Sequence, residues 1–338
     1  MKILHITDSY NAGVKVAIDF IAKNNSSDFH FLLWSAHSDT PEFPENYQNI
    51  YAQTIHWEGN YFFKIIKMIR IAKKLSPDVI HLHSSVAGFL GRIFLQRFFI
   101  IYSSHCFAFQ RMDLSVISKN IFILIEMILD KITDVQGFSW PIEEKIIDKY
   151  FYDSKKIFFP IFNIEDIEHA NLSNEYESNT IVSTGRIRPQ KDPLFFIDTL
   201  SKISTPAKCT WYGTGDKSLI LALKNAGVTV TGWTNDTQLR KQLPFFSVNV
   251  ITSAWESGPL TLIESISIGT PVICRSIEAI DVYGFQTFIS STDLALALDK
   301  VLLNSDYRKY VFDEQKQLII KYFKPLYISN INNYMSVR

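Results

Sequence analysis

Two hydrophobic patterns alternate along this chain. Short apolar runs bounded by turn residues predict buried strands, and longer stretches with apolar positions every three or four residues predict amphipathic helices. Strand-like runs cover residues 3–6, 29–34, 79–82 and 98–102 in the first half. In the second half they cover 180–184, 209–212, 228–231, 248–252 and 272–274. Helical patterns lie between them, with 61–75 as an example. Ser76-Pro77-Asp78 before Val79 and Gly269-Thr270-Pro271 before Val272 stop a helix just ahead of a strand. Alternation of this kind predicts parallel sheets built from β-α-β units, an α/β fold.

The 338 residues suit two domains of about 150 residues each. The most polar and least periodic stretch, 163–179, is the expected linker between a first domain at 1–162 and a second at 180–320. Helical patterns at 307–323 and 326–335 have no strand after them. Hydrophobic residues make up 47% of the chain, enough for two cores. Lys plus Arg and Asp plus Glu balance at 34 each, so no overall field recruits nucleic acid, and any cationic site must be local. Cys106, Cys209 and Cys274 are odd in number and widely spaced, which suits free thiols in a reducing compartment. The apolar run at 3–6 is too short for a signal peptide, and no charge-free run of about 18 residues would span a bilayer. The expectation is a cytoplasmic protein that meets a membrane only by adhesion.

The densest chemistry lies in Trp255-Glu256-Ser257-Gly258-Pro259-Leu260-Thr261-Leu262-Ile263-Glu264. Two carboxylates flank a Ser-Gly-Pro turn that opens into an apolar, helix-forming run. Pro just inside a helix start, with Gly before it, predicts a terminus whose N–H groups and dipole favour an anion. A phosphate would fit that end, with a carboxylate on each side for sugar hydroxyls. The plainer alternative is a Thr-x-x-Glu capping box of Thr261 and Glu264, with Glu256 merely solvated.

Ser183-Thr184-Gly185-Arg186-Ile187-Arg188-Pro189-Gln190-Lys191 follows a strand and precedes a helix. Arg186 and Lys191 can set two cations around one diphosphate, or can be ordinary basic residues of a surface turn. No Asp-x-Asp pair occurs in the sequence, so fixed cations and a helix end would have to neutralise a departing diphosphate. Gly213-Thr214-Gly215 and Gly232-Trp233 form two further strand-end turns, and Trp233 either fills core or meets a planar ligand. His81 and His83 share one face of a strand, which raises zinc, but no carboxylate or thiol stands at ligand spacing. A buried, hydrogen-bonded pair is the alternative. The helix at 61–75 carries five cations and no acids, as membrane-surface helices do and as some ordinary surface helices do. Arg92, Arg97 and Arg111, among Phe94, Phe98 and Phe99, would extend that patch.

Taken in order, these segments resemble the retaining nucleotide-sugar glycosyltransferases of the GT-B fold, glycosyltransferase family 4 or group 1 type. The resemblance implies two Rossmann-like domains whose parallel sheets face across a cleft, with 321–338 returning to the first domain. It places Glu256 near the transferred sugar and Glu264 on the nucleotide ribose. Arg186 and Lys191, beside Gly185, would hold the donor pyrophosphate, and Ser257, Gly258, Leu260 and Thr261 would form the helix end against it. Trp233 would lie near the nucleobase. His105 would lie near the reacting sugar carbon, although Cys106 stands where the family carries Gly. Gly13 alone remains of a Gly-Gly approach to the donor phosphate, with Ala12 beside it.

The resemblance further implies an enzyme that needs neither metal nor cofactor and uses a nucleotide-sugar donor, UDP by default. Its acceptor would be a saccharide or a lipid-linked oligosaccharide of bacterial capsule, O-antigen or exopolysaccharide assembly. Three other readings share this domain plan: a catalytically silent binding partner, a phosphorylase or epimerase, and a nicotinamide oxidoreductase. The last lacks its Gly-x-Gly-x-x-Gly after the first strand.

Overall fold

The computed structural model describes residues 1–26, 28–35, 49–329 and 334. They divide into one unit of Met1–Phe162 with Ser329–Arg338 and a second of Asn163–Ile328. In chain order the first unit holds β1 (Lys2–Thr7), α1 (Ala12–Asn24), β2 (Phe29–Trp34), β3 (Gln53–His56), α2 (Tyr61–Leu75) and β4 (Val79–His83). It continues with α3 (Ser85–Phe94), β5 (Ile100–Ser103), α4 (Val116–Asp130), β6 (Val135–Phe138), α5 (Pro141–Tyr150) and β7 (Lys155–Phe158). The strands pair in parallel in the order β3-β2-β1-β4-β5-β6-β7. All five residues of β4 are buried, as expected for a parallel strand covered on both faces. Register sets Thr7 beside His83, and His83 beside Ser103, so these strands finish level with one another.

The second unit runs α6 (Ile164–Glu168), β8 (Glu177–Thr184), α7 (Pro193–Leu200), β9 (Lys208–Tyr212), α8 (Lys217–Asn225), β10 (Thr229–Gly232) and α9 (Asp236–Gln242). After these come β11 (Phe246–Ile251), α10 (Leu260–Ser267), β12 (Val272–Arg275), α11 (Glu278–Asp281), β13 (Thr287–Phe288), α12 (Ser291–Leu303) and α13 (Ser305–Ser329). Its parallel sheet has the order β10-β9-β8-β11-β12-β13. Ile181, Trp211, Val248, Val250 and Ile273 from its strands pack with Phe196, Leu223, Leu294 and Leu298 from its helices.

The stretch 163–179, expected as a linker, belongs to the second unit and carries elements of its own. Asn163 caps α6 by accepting from Glu165 N at 3.2 Å, and Ile164 and Ile167 are buried. Ser173 bonds to the carbonyls of Pro244 and, through its N–H, Gly269, and β8 already begins at Glu177. Asn163 and Ser173, two of the polar residues that suggested a linker, serve as a cap and a turn donor. At the other end, the two expected helical segments merge into one helix that carries Pro325 inside it. Of 326–335, residues 330–333 and 335 lie outside the described residues, as do 336–338. Tyr334 is buried against Ile3, Val79 and Phe159 in the core of the first unit.

Candidate functional site

The strand order of the second unit reverses between β8 and β11, and open α/β sheets bind ligands at the carboxyl ends of strands at such a point. The chain leaves β8 at Gly185, whose φ of +122° is one L side chains rarely adopt. A Cβ there would lie 2.9 Å from Lys191 Cε, so the missing side chain makes room for the lysine stem. A 3-10 turn over Pro189–Lys191 follows, and Asp192 caps α7 by accepting from Phe195 N at 3.1 Å. The loop after β11 is tied to this turn: Ala254 N donates to the Gln190 carbonyl at 2.8 Å and Thr252 Oγ1 to the Lys191 carbonyl at 2.9 Å. Arg275 on β12 braces the same corner through Asp192 at 2.6 Å.

These ties bring Lys191 Nζ to 2.6 Å from Glu256 Oε1, with the side chains 18% and 10% exposed. Ser253 Oγ donates to the same oxygen at 2.8 Å, and Gln190 Nε2 to the other at 3.3 Å. An ammonium has three protons and a carboxylate has four lone-pair positions, so each partner keeps capacity for a ligand. Beyond Glu256, Ser257 is buried and Gly258, Leu260, Thr261 and Glu264 are half-buried. Pro259 occupies the N-cap of α10, one position earlier than expected, and its side chain makes no cap hydrogen bond. Thr261 is already helical, so Thr261 and Glu264 do not form a capping box. The terminus therefore presents N–H groups and dipole at the loop that holds the ion pair.

Two glycines lock the neighbouring turn. A Cβ on Gly213 would sit 2.0 Å from the Gly185 carbonyl oxygen, and one on Gly215 would sit 2.1 Å from that of Ile187. Trp211 Nε1 donates to the Gly185 oxygen at 2.9 Å. Arg186 is exposed one residue beyond Gly185. Trp233 is 59% exposed after β10, so it does not fill core.

In the first unit, histidines on β1, β2 and β4 gather with one that follows β5. His5 and His81 are direct cross-strand partners. Asn25 O lies 2.9 Å from His30 Nε2, and His30 Nδ1 lies 3.0 Å from His5 Nε2. His5 Nδ1 lies 3.0 Å from His83 Nε2, and His83 Nδ1 lies 2.9 Å from His105 Nε2. His81 stands to one side, bonded to Tyr334 OH at 2.6 Å and Ser103 Oγ at 2.9 Å. Burial holds His5, His81 and His83 well below the usual imidazole range. It lowers His30 too, and pushes the half-buried His105 down to about 4. Ring nitrogens of His5, His81 and His83 lie within 4.8 Å of one another, a metal-like grouping. The nitrogens of these three rings are already hydrogen-bonded, and an ion would have to displace those bonds.

Cys106, at the position where glycine was expected, has φ +155°, a glycine-like backbone that follows His105 at +56°. Gly13 is exposed in the first turn of α1, and the side chain of Ala12 lies outside the described residues. Arg92 does not join a basic patch. It is fully buried, donating to the Gly88 carbonyl at 2.9 Å and pairing with Glu126 at 2.8 Å, because α3 turns it toward the core. Arg97 is exposed, and Arg111 is exposed but paired with Asp113 at 2.6 Å.

The structure thus joins Lys191 to Glu256 and His83 to His105. Sequence reasoning missed Gln190 and Ser253, which hold Glu256, and His5 and His30, which extend the histidine series. It also missed Asp8, which accepts from Ser84 Oγ at 2.6 Å and Ala87 N at 3.0 Å. No spacing rule marks any of them, because each partner comes from another strand or the loop after it.

Residues 178–302 match the family model described as Glycosyl transferases group 1. The chain is 27% identical over 301 residues to an uncharacterised 41.2 kDa protein in the cps region of Klebsiella pneumoniae, covering 83% of this chain and 82% of that one. It is also 27% identical over 243 residues to the UDP-Gal:alpha-D-GlcNAc-diphosphoundecaprenol alpha-1,3-galactosyltransferase of Escherichia coli, spanning 63% of this chain and 62% of that enzyme. Among solved structures, Anabaena Alr3699/HepE in complex with UDP and glucose superposes with a TM-score of 0.77 at 16% identity, over 99% of this chain and 98% of that one. Residues 178–302 thus carry a group 1 glycosyltransferase domain, and the chain, with a parallel α/β sheet in each unit, shares the GT-B fold.

Proposed function

We propose that the chain is a retaining, metal-independent hexosyltransferase that takes its sugar from a UDP-sugar. The Lys191–Glu256 pair at the β8/β11 reversal point carries this reading. Lys191, Arg186 and the start of α10, from Ser257 and Gly258 to Leu260 and Thr261, would receive the donor diphosphate. Fixed cations and helix N–H groups there take the place of a bound metal. Glu256, held by Ser253 and Gln190, would orient the sugar through its hydroxyls. Glu264 would bind the ribose, and Trp233 the base. In the first unit, His105 and Gly13 would contact substrate.

In the step itself the anomeric C–O bond to the diphosphate breaks as the acceptor hydroxyl oxygen bonds to the same face. The acceptor proton passes to a diphosphate oxygen, so no protein nucleophile is required. The choice of UDP rests on family frequency, on the UDP-Gal donor in the name of the Escherichia coli relative, and on the UDP bound to the Anabaena protein. An undecaprenyl-diphosphate saccharide acceptor in surface polysaccharide synthesis is supported by that relative and by the cps-region protein.

A lipid-borne acceptor calls for contact with a membrane, and no helix among the described residues is long and apolar enough to cross one. The cations of α2 support adhesion to anionic lipid, and α4 adds to them. α4 is built inside out: Ile117, Ile121, Leu124 and Ile128 are exposed along one stripe, while Glu126 and Asp130 are buried. A basic helix and an exposed apolar stripe in one unit suit the headgroup boundary of an anionic bilayer.

The reading is tested by a thermal-shift screen of UDP-, GDP- and dTDP-sugars with and without chelator, followed by NMR of the anomeric configuration of the product. A rise in Tm with a UDP-sugar, indifferent to chelator, and a retained configuration are expected. An absolute requirement for divalent cation, or an inverted product, overturns it.

A further inference from the structure

Buried histidines that touch end to end impose an order on their protons. The series Asn25 O, His30, His5, His83, His105 is hydrogen-bonded throughout at 2.9, 3.0, 3.0 and 2.9 Å. Each successive pair of rings has centroids 5.2 Å apart, with planes inclined by only 25°, 23° and 10°. The rings therefore lie nearly edge to edge, where an in-plane N–H of one meets the lone pair of the next.

The polarity of the series follows from its far end. A carbonyl oxygen only accepts, so His30 Nε2 must carry the proton it shares with Asn25. A neutral imidazole has one N–H, which leaves a lone pair on His30 Nδ1. That lone pair accepts from His5 Nε2–H, and His5 Nδ1 in turn accepts from His83 Nε2–H. His83 Nδ1 accepts from His105 Nε2–H. Reversing the series would set two lone pairs face to face in a dry interior, where an unmade hydrogen bond is costly.

We infer that His30, His5 and His83 are positioning residues that hold His105 as its Nε2–H tautomer, leaving Nδ1 as an acceptor for a substrate hydroxyl. Among the described residues, Nδ1 of His105 has no hydrogen-bond partner. The inference rests on the role proposed above for His105 at the substrate. It narrows that role: the ring receives a hydroxyl proton in a hydrogen bond and does not act as a cation toward phosphate. The series dead-ends at a carbonyl, so it orients and does not conduct protons. His81, bonded to two hydroxyls, lies outside it.

The test is imidazole ¹⁵N NMR of the full chain labelled at histidine, between about pH 6 and 8 where neutral rings dominate. All four rings should show a protonated Nε2 and a bare Nδ1. His83→Leu removes the acceptor for His105 and should release that ring into a mixture of tautomers. His83→Gln, whose amide oxygen accepts and whose NH₂ donates, should restore the single form. Should His83 variants fail to fold, His30→Leu and His30→Gln probe the less buried end in the same way. His81→Gln should leave His105 unchanged. A protonated Nδ1 on His105 in the unaltered protein, or a His105 signal indifferent to both Leu variants, overturns the positioning role. UDP-glucose should shift the His105 Nδ1 resonance. With the tautomer fixed but no such shift for any donor that raises Tm, the hydroxyl assignment falls while the nucleotide-sugar reading stands.

Discussion

Replacing Lys191 with Met separates what the ion pair contributes to stability from what it contributes to reaction. Lys191 Nζ sits 2.6 Å from Glu256 Oε1, with the two side chains 18% and 10% exposed. Removing one partner of a fully buried pair costs about 3–5 kcal/mol. Here Glu256 keeps Ser253 at 2.8 Å and Gln190 at 3.3 Å and some contact with solvent, so about 1–3 kcal/mol is the reasoned cost. For a domain of this size each kcal/mol lowers Tm by about 2–4 °C. The effect on turnover is larger and of separate origin: losing one fixed donor to a developing anion typically costs about 10²–10³ in rate. The double variant Lys191→Met with Glu256→Gln removes the orphaned charge, so its Tm should recover most of the loss. Its turnover should not. The assays are calorimetric melts and initial rates with a labelled donor. A double variant that regains both Tm and rate would show that the pair serves folding alone, and would refute the charge-stabilisation argument.

Gly213→Ala should destabilise by at least about 2 kcal/mol in urea unfolding, because its Cβ would overlap the Gly185 oxygen at 2.0 Å at a positive φ; an unchanged midpoint would contradict the turn geometry. Cys106→Gly should instead gain about 1 kcal/mol, since φ +155° suits glycine, and a lower midpoint would count against it. Folded-state histidine pKa values lie below the unfolded value, so their stabilisation is full above about pH 6.5 and declines as pH falls toward 4. Each ring that stays neutral at pH 5 should then forfeit about 2 kcal/mol, read as proton uptake on unfolding between pH 5 and 7. Vesicles containing phosphatidylglycerol should bind the protein at low salt, and Ile121→Asp with Leu124→Asp should abolish this. Equal binding by that variant, or equal binding to phosphatidylcholine alone, would remove the membrane role from α4.

The sequence carried the element types wherever a segment's own residues set the period. Strand β2 and helix α2 fall where the pattern put them, at Phe29–Trp34 and Tyr61–Leu75. β3, β6, β7 and β13 escaped. Gln53, Gln136, Gly137, Lys155 and Lys156 interrupt their apolar pattern, and β13 has only two residues. Their strand state comes from parallel neighbours that complete their hydrogen bonds, a long-range cause. Gly185, Lys191, Glu256 and His105 were legible as types at suggestive spacings. That Lys191 meets Glu256, and that His5 and His30 stand behind His83 and His105, was decided only by register and strand order. Periodicity is local and survives in one dimension, but contact between strand ends depends on which strands lie side by side, and only the folded sheet fixes that.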